Sequence, residues 1–92
     1  MPVVIELPAS LRPYASGDRE VALNDPTSFA SALDALIARH PRLESRLVTP
    51  SGALYDFVGV FVNDRRIGRA EMEGLALAPG DTVTFVPAMA GG

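Results

Sequence analysis

One amphipathic helix in the middle of the chain limits the folds that the flanking segments can form. Its apolar stripe at helical spacing consists of Phe29, Leu33, Leu36, Ile37 and His40. Pro41 ends the helix at His40, because the residue before a proline disfavours helical backbone angles. Three residues before the stripe can cap the helix, namely Asp25, Thr27 and Ser28. One such helix covers one face of one sheet, so the chain predicts a two-layer α+β domain.

The segments before the helix alternate as strands do. Val3, Ile5 and Leu7 share one face of a first strand, which ends at Pro8. Residues 19–23 alternate in the same way, so we expect them to pair with the first strand as a hairpin. The sequence therefore begins with two neighbouring strands.

The segments after the helix predict a short helical piece and two further strands. Residues 41–47 form the helical piece, anchored by Leu43 and Leu47. Residues 57–62 form a strand with apolar residues on both faces, so it is either central or meets a partner. Two turns follow, a hairpin turn at Asn63-Asp64 and a type II turn at Ala78-Pro79-Gly80-Asp81. In the last strand, residues 83–86, Val83 and Phe85 face the helix and Pro87 ends the pairing.

Composition excludes several function classes. A chain of 92 residues forms one domain, and it has no apolar run long enough to span a membrane, so we expect a cytoplasmic protein without a membrane partner. The net charge is -3 and the only cationic cluster is Arg65, Arg66 and Arg69, which argues against nucleic acid as a partner. We expect that cluster to be a solvated hairpin.

Side-chain catalysis also has little support in the sequence. The chain has no cysteine and no lysine, since all eight cations are arginines. The carboxylates are scattered, which predicts no metal site, and no glycine-rich phosphate loop is present, so we expect no cofactor on this chain. His40, the single histidine, has no recognisable nucleophile beside it and is expected to be structural.

Five short segments together resemble a known family. They are Leu11-Arg12, Ala38-Arg39-His40-Pro41, Phe61-Val62-Asn63, Pro79-Gly80-Asp81-Thr82-Val83 and the final Gly91-Gly92. With the order of strands and helix, they resemble the ubiquitin-like β-grasp fold, and within it the MoaD/ThiS sulfur-carrier family, most of all its cysteine-pathway branch. The resemblance implies a mixed four- to five-stranded sheet covered on one face by one main helix, plus a short second helix. It divides the chain into a β-grasp domain, residues 1–87, and a flexible C-terminal tail, residues 88–92.

The resemblance places the chemistry at the end of the tail. In the family, an E1-like adenylyltransferase uses ATP to adenylate the terminal glycine, here Gly92. A sulfur donor, a rhodanese or a persulfide, then converts it to a thiocarboxylate, which passes sulfur to an acceptor sulfur-transfer enzyme. The chain would thus be a protein cosubstrate or the small subunit of a synthase, not an enzyme. Met89, Ala90 and Gly91 would present Gly92, and glycine suits this role because its backbone can approach an active site closely.

The resemblance leaves the pathway and the use of Gly92 open. The sulfur would go to cysteine or a related metabolite, or to molybdopterin, and a metalloprotease that trims the tail is a possible further partner. Two alternative functions remain: a ubiquitin-like modifier conjugated through Gly92, and a non-catalytic β-grasp interaction module.

An apolar patch on the face without the helix would dock the activating enzyme. Phe61, Val86 and Pro87 are its expected members. The alternative is that the aromatic residues of the 57–62 strand fill the core or lie under the 49–56 loop. For Phe61 the two interpretations, docking and core packing, are equally supported by the sequence. For Phe57 the favoured interpretation is that it fills the core or lies under the loop.

Overall fold

The computed structural model describes residues 1–24 and 26–87, and their backbone forms a five-stranded mixed sheet with one main helix. The strands are β1 (Val3–Glu6), β2 (Glu20–Leu23), β3 (Val58–Val62), β4 (Arg65–Ile67) and β5 (Thr82–Pro87). The helices are α1 (Phe29–Arg39), α2 (Glu44–Leu47) and α3 (Arg69–Met72), with 3-10 turns at Arg12–Ala15 and Pro41–Leu43. No helix among the described residues has the length and apolar character needed to cross a membrane.

The sheet order is β2-β1-β5-β3-β4, so β5 is the central strand. It runs parallel to β1, with Val83 opposite Ile5, and antiparallel to β3, with Phe85 opposite Val60. The strand after the helix, β3, was predicted to be central or to meet a partner. It is an interior strand between β5 and β4, and the central strand of the sheet is β5. This topology is the ubiquitin-like β-grasp fold that the sequence predicted.

The core lies between α1 and one face of the sheet. The predicted alternation of β1 and β5 is confirmed, because Val3, Ile5, Val83 and Phe85 are all buried. Burying an apolar side chain of this size contributes about 1.5–3 kcal/mol. The rings of Phe29 and Phe85 meet edge to face, with centroids 6.2 Å apart, and join helix to sheet.

The stripe of α1 is displaced from the predicted one. Ala32 and Leu36 are fully buried, whereas Leu33 and Ile37 are only half-buried. The small side chain of Ala32 lets the helix approach the sheet closely, and the larger residues then lie at the edges of the contact. The periodicity of the sequence predicted which side of the helix faces the sheet, but not which residues lie at the centre of the buried stripe.

The start of α1 is fixed by Ser28. Its Oγ accepts a hydrogen bond from the backbone N–H of Ser31 at 3.1 Å, and the Oγ of Ser31 accepts one from the N–H of Ser28 at 3.1 Å. These reciprocal bonds satisfy two backbone donors that a helix start leaves free. Among the three candidates, the cap is Ser28, while Asp25 lies outside the described residues.

The other predicted turns are also present. Asn63 and Asp64 have φ values of 49° and 71°, as a tight hairpin turn requires, and they connect β3 to β4. Gly80 has a φ of 88°, and the N–H of Asp81 donates to the carbonyl of Ala78 at 3.1 Å. The predicted second helix is the 3-10 turn followed by α2, with Leu43 and Leu47 buried.

Candidate functional site

The central strand carries the chain to its predicted reactive end. β5 is hydrogen-bonded to β1 on one side and to β3 on the other, and its last residue, Pro87, lies opposite Val58. The predicted site residues Met89, Ala90, Gly91 and Gly92 lie outside the described residues. Their roles therefore stay predictions, and the described part of the chain supplies a firmly held base from which the tail starts.

Two of the three predicted docking residues, Phe61 and Val86, lie on the sheet face opposite α1, whereas strand alternation places Pro87 on the same side as Phe85. Val83 and Phe85 point into the core, so the alternating residues Thr84 and Val86 face the other way, as predicted. Phe61 lies opposite Thr84, and it is half-buried like Val86. We call Phe61, Val86 and Pro87 the outer-face patch. The structure brings Phe61 and Val86 together on neighbouring strands, and Pro87 follows Val86 at the end of β5. The role of all three in docking remains a prediction.

Val86 has room on this face because its partner on β3 is a glycine. Gly59 lies opposite Val86, and a Cβ atom at position 59 would lie 3.0 Å from Cγ2 of Val86. A side chain at that position would push the valine away from the sheet. The glycine thus shapes the outer-face patch without contributing a side chain to it.

Phe57 is exposed, and its favoured assignment to the core or beneath a loop is wrong. The side chain is 53% exposed, and its ring stacks on Tyr55 with centroids 4.9 Å apart and an angle of 18° between the planes. Phe57 precedes the first paired residue of β3, so strand alternation does not fix its direction. The structure therefore places a large apolar ring at the surface.

Arg69 holds the loop that carries this aromatic pair. Its guanidinium donates to the backbone carbonyls of Leu54 and Tyr55, each at 2.7 Å, and lies 3.2 Å from a carboxylate oxygen of Asp56. Arg69 is exposed, as expected for a solvated cluster, but it lies in α3 and not in the hairpin, and its guanidinium binds the loop. Its guanidinium acts as a clamp because three oxygen atoms of one loop converge on it.

A shallow cleft opens beside the end of β5. Its walls include Pro8, Leu11, Arg46, Phe57, Val86 and Pro87. We call it the exit cleft, because Pro87 is the last described residue before the tail. The cleft shares Val86 and Pro87 with the outer-face patch, and the two surfaces are therefore continuous.

Two arginines cluster around one tyrosine at the border of the exit cleft. The guanidinium carbon of Arg46 lies 4.5 Å from the ring centroid of Tyr14, and that of Arg42 lies 5.3 Å from it. Both distances fit cation–π contacts. Sequence reasoning missed this pair, although the spacing of Arg42 and Arg46 along a short helix places them on one face.

The shifted carboxylates lie at the far end of β5, away from Pro87. Asp81 accepts hydrogen bonds from the N–H of Ala78 and from the side chain of Asn63, both at 2.8 Å, and these bonds lower the pKa of Asp81. The side-chain hydrogen bond from Arg65, at 2.8 Å, is the main cause of the lowered pKa of Glu71. Both groups stabilise turns, and neither borders the exit cleft.

No metal cluster forms within residues 1–24 and 26–87: no three histidine, aspartate or glutamate side chains gather there. His40 lies at the C-terminal end of α1, and its Nε2 is 3.7 Å from a carboxylate oxygen of Asp18. The two atoms are too far apart for a hydrogen bond, so the end of the helix and the loop before β2 are close here without being hydrogen-bonded through His40.

Comparison with known proteins agrees with the fold and with the resemblance seen in the sequence. The model of the ThiS family matches residues 5–92. The sulfur carrier protein CysO of Mycobacterium tuberculosis is 35% identical over 94 residues, which cover 100% of each chain.

Two solved structures are similar over nearly the whole chain. The crystal structure of SAMP1 from Haloferax volcanii has a TM-score of 0.84 at 34% identity, with 100% of both chains covered. CysO in the BexX/CysO complex of Amycolatopsis orientalis has a TM-score of 0.80 at 31% identity, covering 98% of this chain and 99% of that one. The sequence and structural matches agree, and the chain belongs to the ThiS family.

Proposed function

We propose that this chain is a sulfur carrier whose reactive group is the carboxylate of Gly92. The observation that carries the proposal is the 35% identity to the sulfur carrier protein CysO over the full length of both chains. The geometry supports it, because the central strand of the sheet leads into the tail. The sequence also contains no cysteine, so no side-chain thiol of these 92 residues can carry the sulfur.

The proposed chemistry has two steps. An E1-like adenylyltransferase joins the Gly92 carboxylate to the AMP portion of ATP and releases pyrophosphate, which makes AMP the leaving group. A sulfide or persulfide sulfur then attacks the acyl carbon and displaces AMP; with a persulfide, a thiol reduces the remaining sulfur–sulfur bond. The product is a thiocarboxylate at Gly92. The nucleotide binds to the partner, and this chain acts as a protein cosubstrate.

The acceptor enzyme that we propose belongs to the synthesis of cysteine or a related metabolite, because CysO proteins are among the sulfur carriers matched over their full length. The alternative acceptor is a molybdopterin synthase, of which this chain would be the small subunit. Incubating the thiocarboxylate form with each candidate acceptor and assaying the sulfur-containing product distinguishes the two.

The second candidate function is a ubiquitin-like modifier. The observation in its favour is the likeness to small archaeal modifier protein 1 of Haloferax volcanii, which is 39% identical over 72 residues and 78% of each chain. In this case the carboxyl group of Gly92 would form an amide with an amine of another protein. The chain has no lysine, so it cannot form lysine-linked chains of itself.

One experiment separates the two candidates. The chain is co-expressed with the E1-like enzyme of its own genome and treated with a thiocarboxylate-selective azide. Labelling that is lost when Gly92 is deleted supports the sulfur carrier. A ladder of protein conjugates without labelling would support the modifier instead.

A further inference from the structure

The arginines beside the exit cleft have no anionic partner within the described part of the chain. Arg42 and Arg46 are exposed, and neither takes part in an ion pair with a carboxylate of residues 1–24 or 26–87. Both guanidinium groups lie over the ring of Tyr14. Two neighbouring arginines without an ion-pair partner in the described part of the chain are suited to an anionic surface on another molecule.

An extended tail would carry Gly92, and the nucleotide that activates it, away from these cations. Gly92 is the fifth residue after Pro87, and an extended chain spans at most about 3.5 Å per residue, or roughly 17 Å here. When the tail is extended into an active site, the phosphate groups lie at its far end. Arg42 and Arg46 then face the protein surface around the mouth of that site.

The apolar floor of the exit cleft lies next to these cations. Phe57 is its most exposed large apolar residue, and the ring is stacked on Tyr55 in the loop that Arg69 binds. Aromatic and arginine residues contribute most of the binding energy at many interfaces, and they contribute more when binding does not have to order them. Phe57 and Arg46 both line this cleft.

We propose that the exit cleft docks a segment of the activating enzyme in which an apolar side chain is flanked by carboxylates. The apolar side chain packs against Phe57 and Leu11, and the carboxylates pair with Arg46 and Arg42. This inference rests on the proposed function, because it takes the enzyme that receives Gly92 as the occupant. It adds a charged contact to the outer-face patch, with which the cleft shares Val86 and Pro87.

The test is steady-state kinetics of adenylation, measured as ATP–pyrophosphate exchange with the E1-like enzyme of the same genome. The double variant Arg42→Gln/Arg46→Gln and the single variant Phe57→Ser are each expected to raise KM for the carrier about tenfold while kcat stays the same. KM of the wild-type chain rises with ionic strength, and KM of the double variant does not. Arg46→Lys keeps the charge and therefore keeps the salt dependence.

Ala35→Glu is the matched control for charge. Ala35 is exposed on α1 and does not line the cleft. Ala35→Glu lowers the net charge by one and is compared with the single variant Arg46→Gln, measured in the same assay, because the double variant lowers the net charge by two. KM of Ala35→Glu should equal that of the wild type. Thermal unfolding of each variant shows whether the loss of the contact with Tyr14 affects the fold.

Two further outcomes separate failure of the cleft from failure of the function. An unchanged KM and salt dependence in the double variant, with the wild type active, would overturn the docking role of the cleft. A rise in KM for Ala35→Glu equal to that for Arg46→Gln would also overturn it, because the effect would then follow net charge. No exchange with the wild-type chain would instead contradict the proposed function.

Discussion

Gly59 on β3 and Val86 on β5 lie opposite each other, and a Cβ atom at position 59 would be 3.0 Å from Cγ2 of Val86. Valine is stiff about χ1, so Val86 cannot rotate away without leaving its preferred rotamer. The close approach makes one backbone position a determinant of the outer-face patch. It also gives a direct way to test how tightly that face is packed.

Gly59→Ala is expected to lower the free energy of unfolding by about 1 kcal/mol, because Val86 must leave its rotamer or shift from the sheet. Alanine is otherwise favoured over glycine in a strand, so the sign itself is informative. Urea denaturation measures the change. In a Val86→Ala background the clash is absent, and Gly59→Ala should then be neutral or stabilising. The same loss in both backgrounds would mean that Val86 is not the obstacle.

Asp81 should make the turn before β5 sensitive to acid. Its pKa is lowered by hydrogen bonds from Ala78 and Asn63, so the charged form is favoured in the folded state. A carboxyl group whose pKa is lower in the folded state raises the free energy of unfolding at pH values above its pKa in the unfolded chain. This gain is lost as the pH falls through the folded-state pKa. The wild type should therefore be more stable than Asp81→Asn at neutral pH, and the difference should vanish between about pH 5 and about pH 2.

Chemical denaturation at a series of pH values checks this prediction. Glu71→Gln is a useful comparison, because the pKa of Glu71 is also lowered but its main partner is Arg65 on β4. A gap between wild type and Asp81→Asn that stays constant down to the lowest pH would show that the Asp81 charge does not stabilise the turn.

The outer-face patch should bind the activating enzyme through its apolar side chains. Phe61→Arg and Val86→Asp each place a charge in it and should weaken binding about tenfold or more in titration calorimetry, because the charge would be desolvated. Ala35→Arg and Ala35→Asp introduce the same side chains on α1 and should leave the affinity unchanged. Unchanged affinity of both patch variants, with normal unfolding temperatures, would remove the patch from the interface.

The strands and turns were predictable because their signals are local. The alternation around Ile5 and Phe85, the glycine in the turn at Gly80 and the hairpin residues Asn63 and Asp64 each act through a few neighbouring residues. The helix α3 was not predicted. It is one turn long, and its stabilising contact between Arg65 and Glu71 crosses from β4.

The border of the exit cleft was not predictable because it depends on tertiary contacts. Phenylalanine is common in β-strands, so the sequence suggests that Phe57 belongs to one. Its exposure becomes clear only from the stack on Tyr55 and from the loop that Arg69 binds. The contact between Arg46 and Tyr14 joins residues that are far apart in the sequence, so no local pattern indicates it. The reactive end of the tail, in contrast, was inferred from sequence resemblance alone.

We propose that the domain presents the carboxylate of Gly92 and that no side chain of the domain reacts. The full chain and a chain lacking Gly92 can be compared after incubation with the activating enzyme, ATP and a sulfur donor, followed by treatment with a thiocarboxylate-selective azide. We expect labelling of the full chain, no labelling of the shortened chain, and the same unfolding temperature for both. Sulfur transfer that persists without Gly92 would contradict this proposal.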